Sequence, residues 1–262
     1  MKYLRSLSKK YIAIISTILS VPVIILLLSC TNIKSENNNT MKQEKDRTTD
    51  TTFQQKKIGV IGAGWLGGTV GSLWVKAGHK VMFSSRHPEE LKEMAEKLGP
   101  NASVGTPKEA AEFGDILLFA VPYDAIPQLG IDLKDQIKGK IVLDACNGGS
   151  GELGKEVEKY GNGPTSQKYL ADTKLIRAFS SQDASQMEAN WGKKQNKLAI
   201  PIAGNDKEAV AIAEQLVRDA NCDPIIVGDL STAVKFQRGT PGFRVHTTAP
   251  ELRKLLGLPA VK

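Results

Sequence analysis

Apolar positions along the chain come in short runs separated by glycine-, proline- and charge-rich stretches, and from residue 58 onward the runs alternate between strand-like and helix-like spacing. The apolar run 58–61 predicts a strand and 69–77 a helix. A second strand is expected over 79–83, and a helix over 89–98 that Gly99-Pro100 ends. Residues 103–105 suit a short third strand, and 107–113 a short helix opened by Pro107, a favoured first position. The run 115–121 is apolar from Ile116 onward, as is most of 140–145, which is how strands buried on both faces of a parallel sheet read. Further strands are expected over 174–179, 197–203 and 223–227. Helices are expected over 206–220, with Asn205 as its cap, and over 250–256.

The first strand runs into Gly62-Ala63-Gly64-Trp65-Leu66-Gly67, and a helix follows. Strand, G-x-G-x-x-G, helix is the fingerprint of a dinucleotide-binding βαβ unit. Gly62 permits the turn, Gly64 lets backbone approach a pyrophosphate, and Gly67 lets helix and strand pack closely. The helix N-terminus then offers unpaired N–H groups and a positive dipole end to phosphates. With the alternation around it, the loop predicts an α/β fold: a Rossmann-type doubly wound, mostly parallel sheet with a small C-terminal extension.

NAD-binding sheets place an Asp or Glu at the end of the second strand, about twenty residues past the loop. Here that position reads Ser84-Ser85-Arg86-His87, and the first acids, Glu89 and Glu90, follow Pro88. Two hydroxyls and a guanidinium suit a 2′-phosphate, so NADP(H) is expected over NAD(H), with Ser84, Ser85 and Arg86 as ligands. A plain polar loop before a helix is the competing reading, and His87 fits either a phosphate neighbour or a solvent-facing side chain.

The N-terminus changes the picture of location. Lys2, Arg5, Lys9 and Lys10 precede an apolar stretch, 11–28, that closes in Leu27-Leu28-Ser29-Cys30. That is the layout of a secretory signal, and the ending resembles a bacterial lipobox in which Cys30 is lipidated. An uncleaved anchor helix is the runner-up. Residues 31–55 are polar and poor in aromatics, a tether by composition. The expected division is therefore signal 1–30, tether 31–55, dinucleotide-binding domain 56–238 and tail 239–262, in an exported chain held at a membrane. The net charge of +7 falls to +3 without the four cations of the first ten residues, which is no electrostatic footprint for nucleic acid. Cys146 and Cys222 read as buried thiols, and no Cys or His cluster suggests a metal. Gly148-Gly149-Ser150-Gly151 does not fit a nucleophile elbow.

In a doubly wound sheet the ligand sits beyond the carboxyl ends of the strands. The loops 64–66, 121–123, 146–149 and 179–181 converge there. Pro122 with Val121 either lies against a nicotinamide or merely starts a turn. Asn147 stands in the loop after the fifth strand. Trp65 either walls the cofactor or packs on a neighbouring helix. Tyr123 is the best placed candidate acid or base, with a packed Tyr as the alternative.

Taken in order, Gly62-Ala63-Gly64 with Leu66-Gly67-Gly68-Thr69, Ala77-Gly78-His79, Ser85-Arg86, Ala120-Val121-Pro122-Tyr123, Asp144-Ala145 with Asn147, Arg177-Ala178-Phe179 and Ile202-Ala203-Gly204-Asn205-Asp206 resemble the NADPH-dependent F420 reductase family. The module is also similar to the cytoplasmic domain of the STEAP ferric reductases. The resemblance spans about 57–235. It implies NADP at Gly62, Gly64, Trp65, Leu66 and Gly67, Ser85 and Arg86 on the 2′-phosphate, and a flavin-like partner near Val121 and Pro122. The family's Asn-Thr after the sixth strand is Ser180-Ser181 here, and its Asn-Pro after the fifth is Asn147-Gly148. The tail from Gln237 has no counterpart.

Hydride transfer between nicotinamide and a flavin or F420 ring needs no nucleophile and little acid–base help, which suits a chain with no evident catalytic residue. The resemblance thus implies an NADP(H)-dependent oxidoreductase with F420 or a flavin as co-substrate. The alternatives are a membrane-tethered dinucleotide-binding module without turnover, or a reductase of a ferric chelate or imine. A homodimer is left open.

Overall fold

The computed structural model describes residues 53–259. The chain divides after Phe53, and the unit from Gln54 onward carries the fold. Cys30, the signal 1–30 and most of the tether 31–55 lie outside the described residues.

The elements alternate. β1 (Lys57–Ile61) leads to α1 (Trp65–Lys76), β2 (Lys80–Ser84), a 3₁₀ turn (Pro88–Leu91), α2 (Lys92–Leu98), β3 (Ala102–Gly105), α3 (Pro107–Phe113) and β4 (Ile116–Phe119). Two short helices, α4 (Ile126–Asp132) and α5 (Lys134–Ile137), precede β5 (Ile141–Asp144). Then come α6 (Gly151–Tyr160), α7 (Asn162–Tyr169), β6 (Lys174–Arg177), α8 (Ala184–Asn190) and β7 (Ala199–Gly204). The chain continues through α9 (Lys207–Asp219), β8 (Asp223–Gly228), a 3₁₀ stretch (Leu230–Phe236) and α10 (Ala249–Leu255).

The strands form one sheet ordered β3-β2-β1-β4-β5-β6-β7-β8, parallel except for the β6/β7 pair. The doubly wound, mostly parallel α/β fold expected from the alternation is what forms. β1 pairs with β2 on one side and β4 on the other, so the strand order reverses beside the loop that follows β1. β4 and β5 are buried along their whole length, which accounts for the apolar run of β4 and for that of β5 up to Asp144.

Each sheet face buries its own core. On one side Ile58, Val60, Phe83 and Leu143 pack with Trp74, Phe179 and Leu216. Trp74 meets Phe179 edge to face at 5.6 Å, and its indole N–H donates to Leu216 O at 2.8 Å. On the other side Ile61, Leu117 and Phe119 pack with Tyr123, Ile126 and Leu170.

Several expectations are corrected. Helix α1 starts at Trp65, not residue 69, because the glycines of its first turns are helical. Helices α6, α7 and α8 were not expected. In α7 and α8 Gly, Pro, Ser and Asn are weak helix formers, and packing of Thr165, Ser166, Ala184 and Met187 holds them, whereas α6 is amphipathic and packs only its partly buried Leu153 and Val157 on the core. The cap of α9 is Asp206, whose carboxylate accepts from Ala209 N at 2.8 Å, while Asn205 accepts from Leu230 N at 2.9 Å. The segment after 238 is part of the fold and not an appended tail. Leu252 and Leu256 are buried against Ala199, Ala203, Ile225 and Val227. Ala199 N also donates to Thr247 O at 2.9 Å.

Candidate dinucleotide site

The turn after β1 is built for close approach. Gly62 sits at φ 96°, and a Cβ there would lie 2.6 Å from Ala120 O. A Cβ on Gly67 would lie 2.1 Å from Gly62 O, so helix and turn touch through bare backbone. Gly64 is the opposite case: nothing stands within 4 Å of where its Cβ would be. Its surroundings are open, as a resting place for a phosphate requires.

The polar groups of the turn divide the same way. Gly62 N and Ala63 N both donate to Ser84 O, at 3.2 and 2.8 Å. The first intrahelical bond of α1 runs from Gly68 N to Gly64 O at 2.7 Å. Gly64 caps the helix without any side-chain bond, and the first turn carries no acid. The N–H groups of Trp65, Leu66 and Gly67 therefore have no helical partner, and the dipole end above them is not neutralised. Trp65 is 70% exposed. It lines a groove of about 650 Å³ along α1 with Met94, Leu98 and Trp191.

At the end of β2 the three expected phosphate ligands separate. Ser84 belongs to the strand, fully buried, and its hydroxyl donates to Val60 O at 2.7 Å. It braces β1 against β2 and faces no ligand, which corrects its assignment to the site. Ser85 and Arg86 follow in the loop, with Arg86 exposed. Ser85 Oγ accepts from His87 N at 2.9 Å, and His87 lies 3.5 Å from Glu89 in the exposed loop.

The carboxyl ends of β4, β5 and β6 form the adjoining rim. Val121 is half-buried and Pro122 exposed. Tyr123 is not a rim residue: its hydroxyl is buried, within hydrogen-bond distance of Asn162 O (2.9 Å) and Ser166 Oγ (3.0 Å). Burial pushes its phenol up to about 12. The Cys146 thiol donates to Phe119 O at 3.3 Å and accepts from Val121 N at 3.4 Å, and burial drives its ionisation well above the usual thiol range. Cys222 is likewise buried and pushed up to about 12 by desolvation.

Beneath the rim lies a group of contacts that sequence reasoning missed. Asp144 and Arg177 stand opposite each other in the β5/β6 register and are both fully buried. Arg177 Nη1 is 2.6 Å from Asp144 Oδ2 and donates to Cys146 O at 2.7 Å. Nη2 donates to Asn147 Oδ1 at 3.1 Å, and Asn147 Nδ2 donates to Ser180 O. The pair thus fixes Asn147 between two strand ends. The available signal was two apolar strands ending in single charges of opposite sign. Phe179, next along, is buried at φ 61°, a costly conformation for a bulky residue and one that clusters at functional sites. The Ser180 and Ser181 hydroxyls are buried with no partner among the described residues.

An open phosphate turn at the switch point of a doubly wound sheet defines a Rossmann-type domain. Residues 57–148 match the family described as NADP oxidoreductase, coenzyme F420-dependent, so the resemblance expected from the motifs is borne out over that segment. The chain is 25% identical over 199 residues to the metalloreductase STEAP3 of Rattus norvegicus, covering 73% of this chain and 38% of that protein. Among solved structures, a hypothetical protein from Sinorhizobium meliloti, SMa0349, superposes with a TM-score of 0.66 at 22% identity, over 74% of this chain and 96% of its own. A proposed F420-dependent NADP-reductase from Arthrobacter sp. FB24 superposes with a TM-score of 0.53 at 20% identity, over 68% of this chain and 87% of its own. The matched family is one of NADP-dependent oxidoreductases, and the two bacterial structures share the fold.

Proposed function

We propose that this chain is an NADP(H)-dependent oxidoreductase that moves a hydride between the nicotinamide and a flavin-type, F420-like acceptor. The observation that carries the reading is the contrast within the glycine turn: no room for a side chain at Gly62 and Gly67, open space at Gly64. The N–H groups of Trp65, Leu66 and Gly67 hold the diphosphate. Ser85 and Arg86 hold the 2′-phosphate, since no carboxylate stands at the end of β2 to repel it. Val121, Pro122 and Asn147 line the nicotinamide end. The family match and the similarity to a metalloreductase support redox chemistry with NADP.

When bound, the nicotinamide supplies the hydride chemistry. The protein positions and shields it. Beneath the rim Tyr123, Cys146, Asp144 and Arg177 are all buried and engaged. None is placed to move a proton at the reacting carbon, so an acceptor that takes a bare hydride into a ring fits best. The same inward arrangement favours a second reading, a binding module without turnover. Anchoring at a membrane through Cys30 belongs to the proposal as well, on the layout of residues 1–30.

The test mixes purified protein with NADPH and, in turn, F420, a flavin, a ferric chelate and a cyclic imine, following loss of reduced-nicotinamide absorbance. Turnover with F420 or flavin supports the proposal. Turnover only with chelate or imine replaces the acceptor. Tight binding without oxidation selects the module.

A further inference from the structure

Some lysines of this domain are paired with carboxylates, and others, spread over its surface, are not. On α2, α6, α7 and β6, Lys97, Lys155, Lys168 and Lys174 each meet a carboxylate within 4 Å. Around the point where the chain enters the domain they do not. Lys56, Lys76, Lys80, Lys193 and Lys194 form no ion pair among the described residues, and all but Lys56 are well exposed.

A run of contacts places these five at one corner. Gln55 Nε2 donates to Gly78 O at 2.7 Å, just beyond the end of α1, which carries Lys76. Lys80 N donates to Lys56 O at 2.9 Å, and Lys56 N donates to His79 Nδ1 at 3.1 Å. His79 Nε2 in turn meets Asp219 at 2.9 Å, at the end of α9. Asn221, two residues on, donates to Lys193 O at 3.2 Å. Lys76 Nζ lies 5.6 Å from the Trp191 ring, which is 38% exposed. Two acids share this path: Asp219, which meets His79, and Glu188, which accepts from the Thr69 hydroxyl at 2.7 Å and keeps its negative charge.

Five lysines against two acids, with an exposed indole beside Lys76, make the side-chain mixture that suits a bilayer surface. Lysines meet anionic headgroups there, and an amphipathic ring lies at headgroup depth. The chain outside the described residues ends at this corner. Residues 1–52 precede Phe53 in the chain, so an anchor on residues 1–30 would connect to the domain through Gln54 and Gln55. We infer that this corner, with Trp191 at its centre, docks on anionic lipid headgroups and holds the membrane-tethered domain in one orientation. The inference rests on the anchoring reading for its geometry, while its own attraction comes from the lysines.

The test uses the full chain with Trp65→Phe, which leaves Trp191 as the exposed indole beside the fully buried Trp74. Vesicles carry a nitroxide-labelled headgroup and are either neutral phosphatidylcholine or the same lipid mixed with phosphatidylglycerol. Flotation and fluorescence are read together. The inference predicts quenching of Trp191 on anionic vesicles, little on neutral ones, and relief in about 1 M salt, where screening acts within about 3 Å. Lys193→Glu with Lys194→Glu should weaken the anionic preference by at least about fivefold per lysine, and Lys108→Glu, away from the corner, should not. Flotation with both vesicle types but an unquenched Trp191 overturns the docking surface and leaves the anchor standing. Flotation with anionic vesicles alone, with quenching, keeps the surface and removes the anchor. No flotation with either overturns both.

Discussion

The turn after β1 and the strand ends of β5 and β6 lie on the same rim of the sheet and are built in opposite ways. The turn is open. The N–H groups of Trp65, Leu66 and Gly67 have no helical partner, the helix is uncapped by any side chain, and a Cβ at Gly64 would meet free space. The ends of β5 and β6 are closed: Asp144, Arg177, Cys146 and Asn147 bind one another, and two serine hydroxyls are sealed beneath. On the proposed reading the first region receives the diphosphate, and the second fixes a shape that orients the cofactor.

The largest effect should follow from opening the closed region. Arg177→Met leaves Asp144 buried and unpaired, a cost of about 3–5 kcal/mol, or a fall in Tm of about 6–20 °C for a domain of this size. Calorimetric melting checks it, and Asp144→Leu added to Arg177→Met should recover most of the loss. A pair that could be halved without cost would mean the strand ends are not held this way.

In the open region the expectation reverses. Gly64→Ala adds a methyl into empty space at an ordinary φ of −69°. Melting should barely move, while dinucleotide affinity falls by about 100-fold as the methyl takes the phosphate's place. Unchanged affinity would remove the phosphate from that spot. Arg86→Ala should weaken NADP by about 10- to 100-fold, the loss of a charge-assisted contact, and leave NAD nearly unchanged.

The smallest effect concerns Tyr123. Its folded phenol titrates at about 12 against an ordinary 10.0, so the fold favours the protonated form. That contribution is complete below about pH 10 and is lost as pH rises toward 12. Tyr123→Phe should cost about 1 kcal/mol near neutrality and flatten the alkaline fall in stability. Activity should show no titration from this residue, because its hydroxyl is turned away from the rim.

The open region was legible in the sequence because its features are local. Glycine spacing, the missing acid after β2 and the apolar runs of β1, β4 and β5 all act over a few residues. Ser84 shows the limit: one residue decides whether a hydroxyl faces a loop or a neighbouring strand, and the strand ran one residue longer than its apolar pattern. The closed region was not legible because Asp144 and Arg177 are 33 positions apart and meet only through the β5/β6 register. The packing of Leu252 and Leu256 on β7 and β8 likewise depends on contacts that no short window contains.

Isothermal titration of the folded protein with NADP and then NAD tests the central claim most directly. The account predicts saturable binding of the 2′-phosphorylated dinucleotide, at least about tenfold tighter than the unphosphorylated one. Equal affinities, or no heat with either on material that melts cooperatively, would contradict it.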